Sequence, residues 1–338
     1  MRTAVVILNW NGLQHLQHYL PSVVATTPDA DVVVADNGSS DGSVAWLKAE
    51  MPSVQLVLLD RNYGFAEGYN RALNQLEGYD TFVLLNSDVE PTEGWLQPLV
   101  EQLERNEDVA VVVPKILDDK CRTKFEYAGA AGGFIDVLGY PFCRGRILST
   151  VEEDNGQYDT PCDVMWGSGA AFCCRASVFA ELGGFSAEFF AHQEEIDLCW
   201  RLRSRGRGVV CVPQSVAYHL GGGTLPQGNP RKTFLNFRNN LLLLYKNLPE
   251  ERLSRVMRLR FWLDALASIQ FLLTMQWGSF LAVWKARRAF HEMKDDFRKY
   301  REDNLRKTTL SPVPEQSTFS LLWQYYVKGR KTFMQLYK

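Results

Sequence analysis

Residues 32–43 read VVVADNGSSDGS. Val32, Val33, Val34 and Ala35 form a short, continuous apolar run, as expected of a strand covered on both faces. The run stops at Asp36, where Asn37–Gly38 supplies tight-turn chemistry. Asp41–Gly42–Ser43 then leads into helical spacing near Val44–Glu50. Working outward, the same apolar signature recurs at Thr3–Asn9 (TAVVILN), Val54–Asp60 (VQLVLLD), Thr81–Leu85 (TFVLL) and Val109–Val113 (VAVVV). Helical patterns lie between them at Phe65–Leu76 and from Trp95 to about Arg105. Strand and helix in alternation predict an α/β fold with a right-handed, doubly wound sheet, parallel or mixed. On such sheets ligands bind outside the carboxyl ends of the strands.

From about 115 to 165 the periodicity gives way to short strands and glycine-rich loops, which read as a flap over a cleft. Regular structure returns with Met165–Arg175, a helix near Ala176–Leu182 and another at about Glu194–Arg205. A last strand pair follows at Gly208–Val212 and Ser215–His219, before the turn Gly221–Gly222–Gly223. Beyond Pro249 the pattern is helical throughout. The 338 residues are 46% hydrophobic and 22% charged, enough for a sizeable core. A net charge of −2 argues against a general nucleic-acid binder. Charge is unevenly spread: residues 1–225 hold 16 Lys and Arg against 30 Asp and Glu, whereas residues 226–338 hold 21 against 9. This predicts a catalytic or binding domain over 1–225 and a basic helical region over 226–338 facing an anionic surface.

The segment Phe261–Trp284 carries one charge, Asp264, and is long enough to span a bilayer. Its basic flanks and Trp262, Trp277 and Trp284 favour attachment at the membrane surface over a packed helix or a span. The seven cysteines are odd in number and form no C-x-x-C pair, which fits reduced thiols. No secretory leader pattern opens the chain. The expectation is a cytoplasmic protein, peripheral on the inner face of the membrane.

Four places carry chemistry. Asp36, at a strand end, can accept hydrogen bonds from a nucleoside or simply organise a βα turn. Asn86–Ser87–Asp88 leaves the strand TFVLL, where a carboxylate suits a divalent cation against a diphosphate, or caps the next element. In FFAHQEEIDLCWR (189–201), Glu194 and Glu195 stand at a helix start, placed for a general base or for solvent. Asp197 and Arg201, four apart, would pair along that helix surface. His219, in YHLGGG, closes a strand before a glycine loop and can ligate a metal or touch phosphate.

Taken in order, VVILNWNG, VADNGSSDGS, RNYGFAEGYNRAL, LLNSDV, WGSGAAFCCR, GGFSAEFFAHQEEIDLCWR and YHLGGG resemble the family 2 inverting glycosyltransferases of the GT-A fold. The likeness covers roughly residues 3–245 and is nearest to the rhamnosyltransferase-like branch that builds bacterial surface polysaccharides. It implies transfer of a sugar from a nucleotide-diphosphate donor to a glycan or lipid-linked acceptor, with Mg²⁺ or Mn²⁺. By that resemblance Asp36 binds the base, and Asn9, Asn11 and Gly12 line the nucleotide pocket. Asn62, Gly64, Phe65 and Asn70 close around the nucleotide-sugar, while Trp166, Gly167 and Ser168 border sugar and acceptor. Asp88 and His219 serve the metal–diphosphate, and Arg238 and Asn239 touch the diphosphate. Glu195 takes the catalytic-base position, with Glu194 beside it.

Two departures stand out. The family's metal site often reads Asp-x-Asp, whereas this chain has Asn86–Ser87–Asp88. Its acidic pair is usually Glu-Asp, but here it is Glu194–Glu195, which leaves open which glutamate acts. A sugar-nucleotidyltransferase would show a glycine-rich loop after the first strand, where NWNGLQHL has one glycine. A dinucleotide oxidoreductase would need a third glycine after Gly167–Ser168–Gly169. A catalytically degenerate carbohydrate-binding protein of the same fold is the remaining alternative.

Overall fold

The computed structural model describes residues 1–221 and 228–337, so Gly222 and Gly223 of the expected glycine turn lie outside the described residues. The strands that open the chain are β1 (Thr3–Asn9), β2 (Asp31–Asn37), β3 (Gln55–Leu59), β4 (Thr81–Leu85), β5 (Val89–Pro91) and β6 (Val109–Asp118). Between them run α1 (Leu13–Ala25), α2 (Ser43–Glu50), α3 (Gly64–Leu73) and α4 (Leu96–Arg105). Helix α1, which the sequence reading leaves unassigned, accommodates Pro21 within its length.

A small sheet of β7 (Gly133–Ile135), β8 (Pro141–Cys143), β9 (Arg146–Ile147) and β10 (Thr150–Val151) follows. Then come β11 (Cys162–Asp163), β12 (Ala171–Arg175), α5 (Ala176–Glu181), α6 (Glu194–Ser204) and β13 (Gly208–His219). The remainder is α7 (Pro230–Asn247), α8 (Glu250–Leu273), α9 (Trp277–Met293), α10 (Arg298–Lys307) and short turns to α11 (Phe333–Leu336).

The main sheet runs β11-β13-β6-β12-β4-β1-β2-β3, with β5 added to β13. Pairs β1/β2, β1/β4, β2/β3 and β6/β13 are parallel, and β12 runs antiparallel between β4 and β6. The fold is therefore the mixed, doubly wound α/β type expected. Alternation along the strands supplies both faces of the core. Ala4 and Val6 of β1 join the cluster with Tyr69 and Phe172, while Val5 and Ile7 join the opposite cluster with Leu16, Leu47 and Leu99.

Three details differ from the sequence reading. Gly208–His219 is one strand with an irregularity between Val212 and Val216, because Pro213 cannot donate to the ladder and the chain bulges past it. Within Met165–Arg175 only Ala171–Arg175 is strand. The end of the chain is not wholly helical, since residues 308–320 are irregular and lead into a short helical segment over 321–327 that lays Leu321 and Tyr325 over Phe142 and Ile147 of the small sheet. The segment read as a flap is thus covered by the chain's own C-terminal stretch. Asp136 anchors this contact: its carboxylate accepts from Leu138 and Tyr140, and from the Leu321 amide at 2.8 Å.

The change of charge at about residue 225 is not a break in the core. Leu241–Leu244, Leu253, Val256, Phe290 and Phe297 belong to the same apolar cluster as Ala4 and Trp166. Helix α7 begins with Asn229 accepting from the Arg231 amide and Pro230 in the first turn, an N-cap that fixes its start beside the site.

Candidate active site

The parallel register places Asn9 opposite Asp36 at the carboxyl ends of β1 and β2. Asn9 donates to Asp36 at 3.0 Å, the Ser39 amide donates to the other Asp36 oxygen at 2.9 Å, and the Asn11 amide donates to Ser39 Oγ. Asp36 is buried with both oxygens engaged, so in this structure its carboxylate organises the turn. Asn9 Oδ1 is buried without a hydrogen-bond partner, and it lies where a Cβ on Gly12 would stand, 2.6 Å away. Any side chain at residue 12 would collide with it.

The next segment closes on the same end of the sheet. Asn62 Oδ1 accepts from the Gly64 amide at 2.8 Å and from Asn37 at 3.2 Å. Gly64 has φ +80, and a Cβ there would meet the Phe190 ring at 2.6 Å. The Phe65 and Ala66 amides both donate to the Phe190 carbonyl, so the start of α3 docks onto the loop before α6. On α3 the Asn70 amide forms a two-bond clip to the Phe185 backbone, 2.9 Å each way.

Strand β4 and its neighbours carry the charged pair. Asp88 Oδ1 lies 3.2 Å from His219 Nε2, and Asn86 Nδ2 lies 3.4 Å from the same nitrogen. The pairing of β5 with β13 sets this contact, aligning Val89 with His219. On the other side of the ring, Glu126 Oε1 stands 3.5 Å from His219 Nδ1. Burial disfavours charge on His219, but Asp88 and Glu126 outweigh it and raise the imidazole to about 10. Burial likewise opposes charge on Asp88, and His219 nevertheless holds its carboxyl below the usual range.

Glu126 was not singled out in the sequence, where it lies in a glycine-rich stretch without periodicity. Only the β6–β13 pairing, which brings Asp118 beside His219, and the loop after it carry it to the ring.

Helix α6 presents the acidic pair at its first turn. Phe190, His192 and Gln193 all have positive φ, a run that turns the chain sharply into Glu194. One oxygen of Glu194, one of Glu195 and Nε2 of His192 are buried without a hydrogen-bond partner. Burial pushes Glu195 up to about 7; burial and the Glu195 charge push Glu194 further up. Burial, then the Lys232 ammonium, holds His192 down at about 4.

The Cys143 thiol is buried and accepts from Arg146. Burial acts on it first, then the charges of Arg146, Glu126 and Glu195, and the balance pushes it up to about 11.

In this structure Arg238 and Asn239 bind backbone carbonyls of the loop before α6. Asn239 Nδ2 donates to the carbonyls of Phe189, Ala191 and His192 at 2.7–3.0 Å, and Arg238 donates to those of Glu188 and Phe189. The pair pins the loop that delivers Glu194 and Glu195. Trp166 is 2% exposed, its indole donating to the Phe134 carbonyl and packed on Gly133, where a Cβ would clash at 2.0 Å. Gly167 abuts Val113, and Ser168 Oγ accepts from the Ala170 amide. Asp197 and Arg201 do pair, at 2.9 Å, but inside the core and not along a helix surface. Lys246 of α7 joins Asp197 at 2.7 Å, and packing of α7 on α6 buries all three.

Among the described residues, no group of three or more His, Cys, Asp or Glu side chains forms a complete cation site. Asp88 and His219 Nε2 stand 3.2 Å apart, and a divalent ion held there with a diphosphate would take the carboxylate oxygen and displace the imidazolium proton to free the ring nitrogen.

Residues 4–176 match the model of glycosyl transferase family 2. The chain belongs to this family. A relative from Mycobacterium tuberculosis, N-acetylglucosaminyl-diphospho-decaprenol L-rhamnosyltransferase, is 28% identical over 64% of this chain and 75% of its own length. The pre-mycofactocin glycosyltransferase of the same organism is 29% identical over 46% of this chain and 30% of that protein. Among solved structures, GalNAc-T7 with UDP, GalNAc and Mn²⁺ matches at TM-score 0.59 and 16% identity. The match covers 97% of this chain and 57% of that one. The Pyrobaculum calidifontis mannosyltransferase with GDP-Man and Mn²⁺ matches at TM-score 0.50 and 14% identity, covering 90% and 87%. At such identities the structures establish the GT-A architecture of this family 2 glycosyltransferase. Among the described residues, no helix is long and apolar enough to cross a membrane.

Proposed function

We propose that this family 2 enzyme transfers a sugar from a nucleotide-diphosphate donor to a hydroxyl of a lipid-linked glycan acceptor, with inversion, in cell-surface polysaccharide synthesis. The named rhamnosyltransferase relative supports L-rhamnose or a similar hexose as donor sugar and a diphospho-lipid as acceptor. The observation that carries the reading is Glu195, half-buried in the first turn of α6, with one oxygen buried and unpartnered and its carboxyl pushed up to about 7.

A base works best when its pKa lies near the operating pH, so Glu195 is suited to take a proton from the acceptor hydroxyl as that oxygen attacks the anomeric carbon. A single displacement inverts that centre. Asn9, Asn11, Gly12, Asp36, Asn62, Gly64 and Phe65 form the donor side, shaping the strand-end rim where the nucleotide lies. Asp88 and His219 would hold Mg²⁺ or Mn²⁺, which, when bound, offsets negative charge on the diphosphate leaving group. Burial and the Glu195 charge keep Glu194 protonated, and Asn239 fixes the loop that aims both.

Buried acidic oxygens left without partners cost free energy in the resting protein, which a non-catalytic carbohydrate-binding descendant has no reason to retain. The test is thermal stabilisation by a panel of nucleotide-sugars with Mg²⁺ or Mn²⁺, followed by nucleoside diphosphate release with a diphospho-lipid acceptor. Stabilisation by one donor and release that requires acceptor are expected. Stabilisation by none of the panel would remove the proposal.

A further inference from the structure

Helices α8 and α9 form a hairpin whose tip half is built inside out. The second half of α8 buries Arg260, Asp264 and Ser268, and α9 buries Arg287. Asp264 is 0% exposed and pairs with Arg260 at 3.4 Å and Arg287 at 2.5 Å, while Arg260 also donates to the Leu138 carbonyl. The outward faces carry the apolar residues instead. On α8, Trp262, Leu266, Ile269 and Leu273 are exposed at spacings of four, three and four, which is one stripe of the helix. On α9, Trp277, Leu281 and Trp284 continue the pattern. The segment Phe261–Trp284 is therefore not one helix: it breaks at Thr274–Gln276, with Met275 at φ 59 and 72% exposed on the tip.

A helix hairpin surrounded by water buries its apolar stripe and exposes its charges; the half of this one nearest the tip exposes its tryptophans and leucines instead, while its base packs Leu253, Val256 and Phe290 into the core. Between Arg252 and His291 the charges it exposes are of one sign, while Glu250 and Glu251 open α8 and Glu292, paired with Arg288 at 2.8 Å, lies at the end of α9. Both stripes end, toward the hairpin's base, in exposed Arg255 and Arg258 on α8 and Lys285 and Arg288 on α9. From Arg252 to His291 the sole acidic residue is Asp264, which is buried. An apolar wedge with tryptophans above it and a collar of cations matches the acyl boundary, interface and anionic headgroups of a phospholipid leaflet, layer by layer.

We propose that the α8–α9 hairpin inserts its tip into an anionic phospholipid surface, with the four cations on the headgroups and the buried ion triad holding the two helices together. The helix pair lies in one leaflet, since neither is long and apolar enough to cross. The proposal goes beyond the sugar-transfer reading and does not need it, because binding to bare vesicles involves no donor, acceptor or cation.

The test is flotation of the full chain with phosphatidylglycerol-containing vesicles and with phosphatidylcholine vesicles. The wild-type chain is expected to float with the former, less so at high salt. Leu273→Glu with Trp277→Glu alters only exposed tip positions and should lower the bound fraction at least about tenfold, with melting unchanged. Arg255→Glu with Arg258→Glu should bring anionic binding down to the phosphatidylcholine level. Failure of the wild type to float with either vesicle would overturn the proposal, as would flotation of the tip variant at the wild-type level. A wild-type dimer that the tip variant dissolves, without flotation, would assign the face to a second copy of the chain and equally overturn it.

Discussion

Asn239 donates its side-chain amide to the His192 carbonyl at 2.7 Å, two residues before the acidic pair. A helix of the basic second part thus holds the loop that enters α6, and the two charge halves form one site. Asn239→Asp replaces a donor by an oxygen facing three carbonyls, and about 2–4 kcal/mol of stability should be lost with it. Turnover should fall further than unfolding alone explains. Urea unfolding and initial rates, measured together at a temperature where the variant stays folded, check this; unchanged values in both would refute the loop's dependence on Asn239.

As the proposed base, Glu195 should set the acid limb of activity. The carboxylate form is the base, so kcat/KM should rise as pH passes through about 7 and level off above it. Glu194, Cys143 and Cys199 surround the group, and the two thiols are held up by burial and stay neutral across that range. Glu195→Gln should lower turnover at least about a hundredfold and remove the limb, while the donor still stabilises the protein. Full turnover in that variant would transfer the role to another group.

His219 is gripped from both sides, by Asp88 on Nε2 and by Glu126 near Nδ1. Partners behind a metal-binding histidine orient its ring, and their loss typically costs about 10–100-fold in cation affinity. Glu126→Gln should therefore weaken Mn²⁺-dependent nucleoside diphosphate binding by that order, with little change in binding measured without the cation. Titration calorimetry with and without Mn²⁺ separates the two. Equal loss in both would make Glu126 a general packing residue.

Asp197 joins Arg201 and Lys246 in the core. Burial works against its charge, but Lys246 and Arg201 prevail and hold the carboxyl well below the usual range. A depressed folded value means stability that is present above about pH 4 and lost as pH falls. Asp197→Asn strands two buried cations and should cost roughly 3–5 kcal/mol at neutral pH. Its urea midpoint should also fall less on acidification than that of the wild-type chain. A parallel fall in both would show that the carboxylate does not carry the acid sensitivity.

The local signals were legible where one segment determines its own shape. The apolar runs of β1, β2 and β4 and the turn after Asp36 read correctly because a strand buried on both faces has to be apolar throughout. The glycines 12 and 64 belong to the strand-end rim because backbone and neighbours leave no room for a Cβ. What the sequence withheld are relationships between distant segments. Glu126 reaches His219 through the β6–β13 pairing, Arg238 and Asn239 anchor the loop before α6, and Asp197–Arg201 goes inside because α7 brings Lys246.

The α8–α9 hairpin shows the division most clearly. Its composition announced an apolar, basic segment, but not which side of each helix faces outward. The chain by itself determined which residues are apolar and where the strands and most of the helices lie, since those follow from periodicity and local sterics. Tertiary structure alone decided which charges are buried together and which apolar faces remain open, because burial is a property of what packs alongside and not of the segment itself.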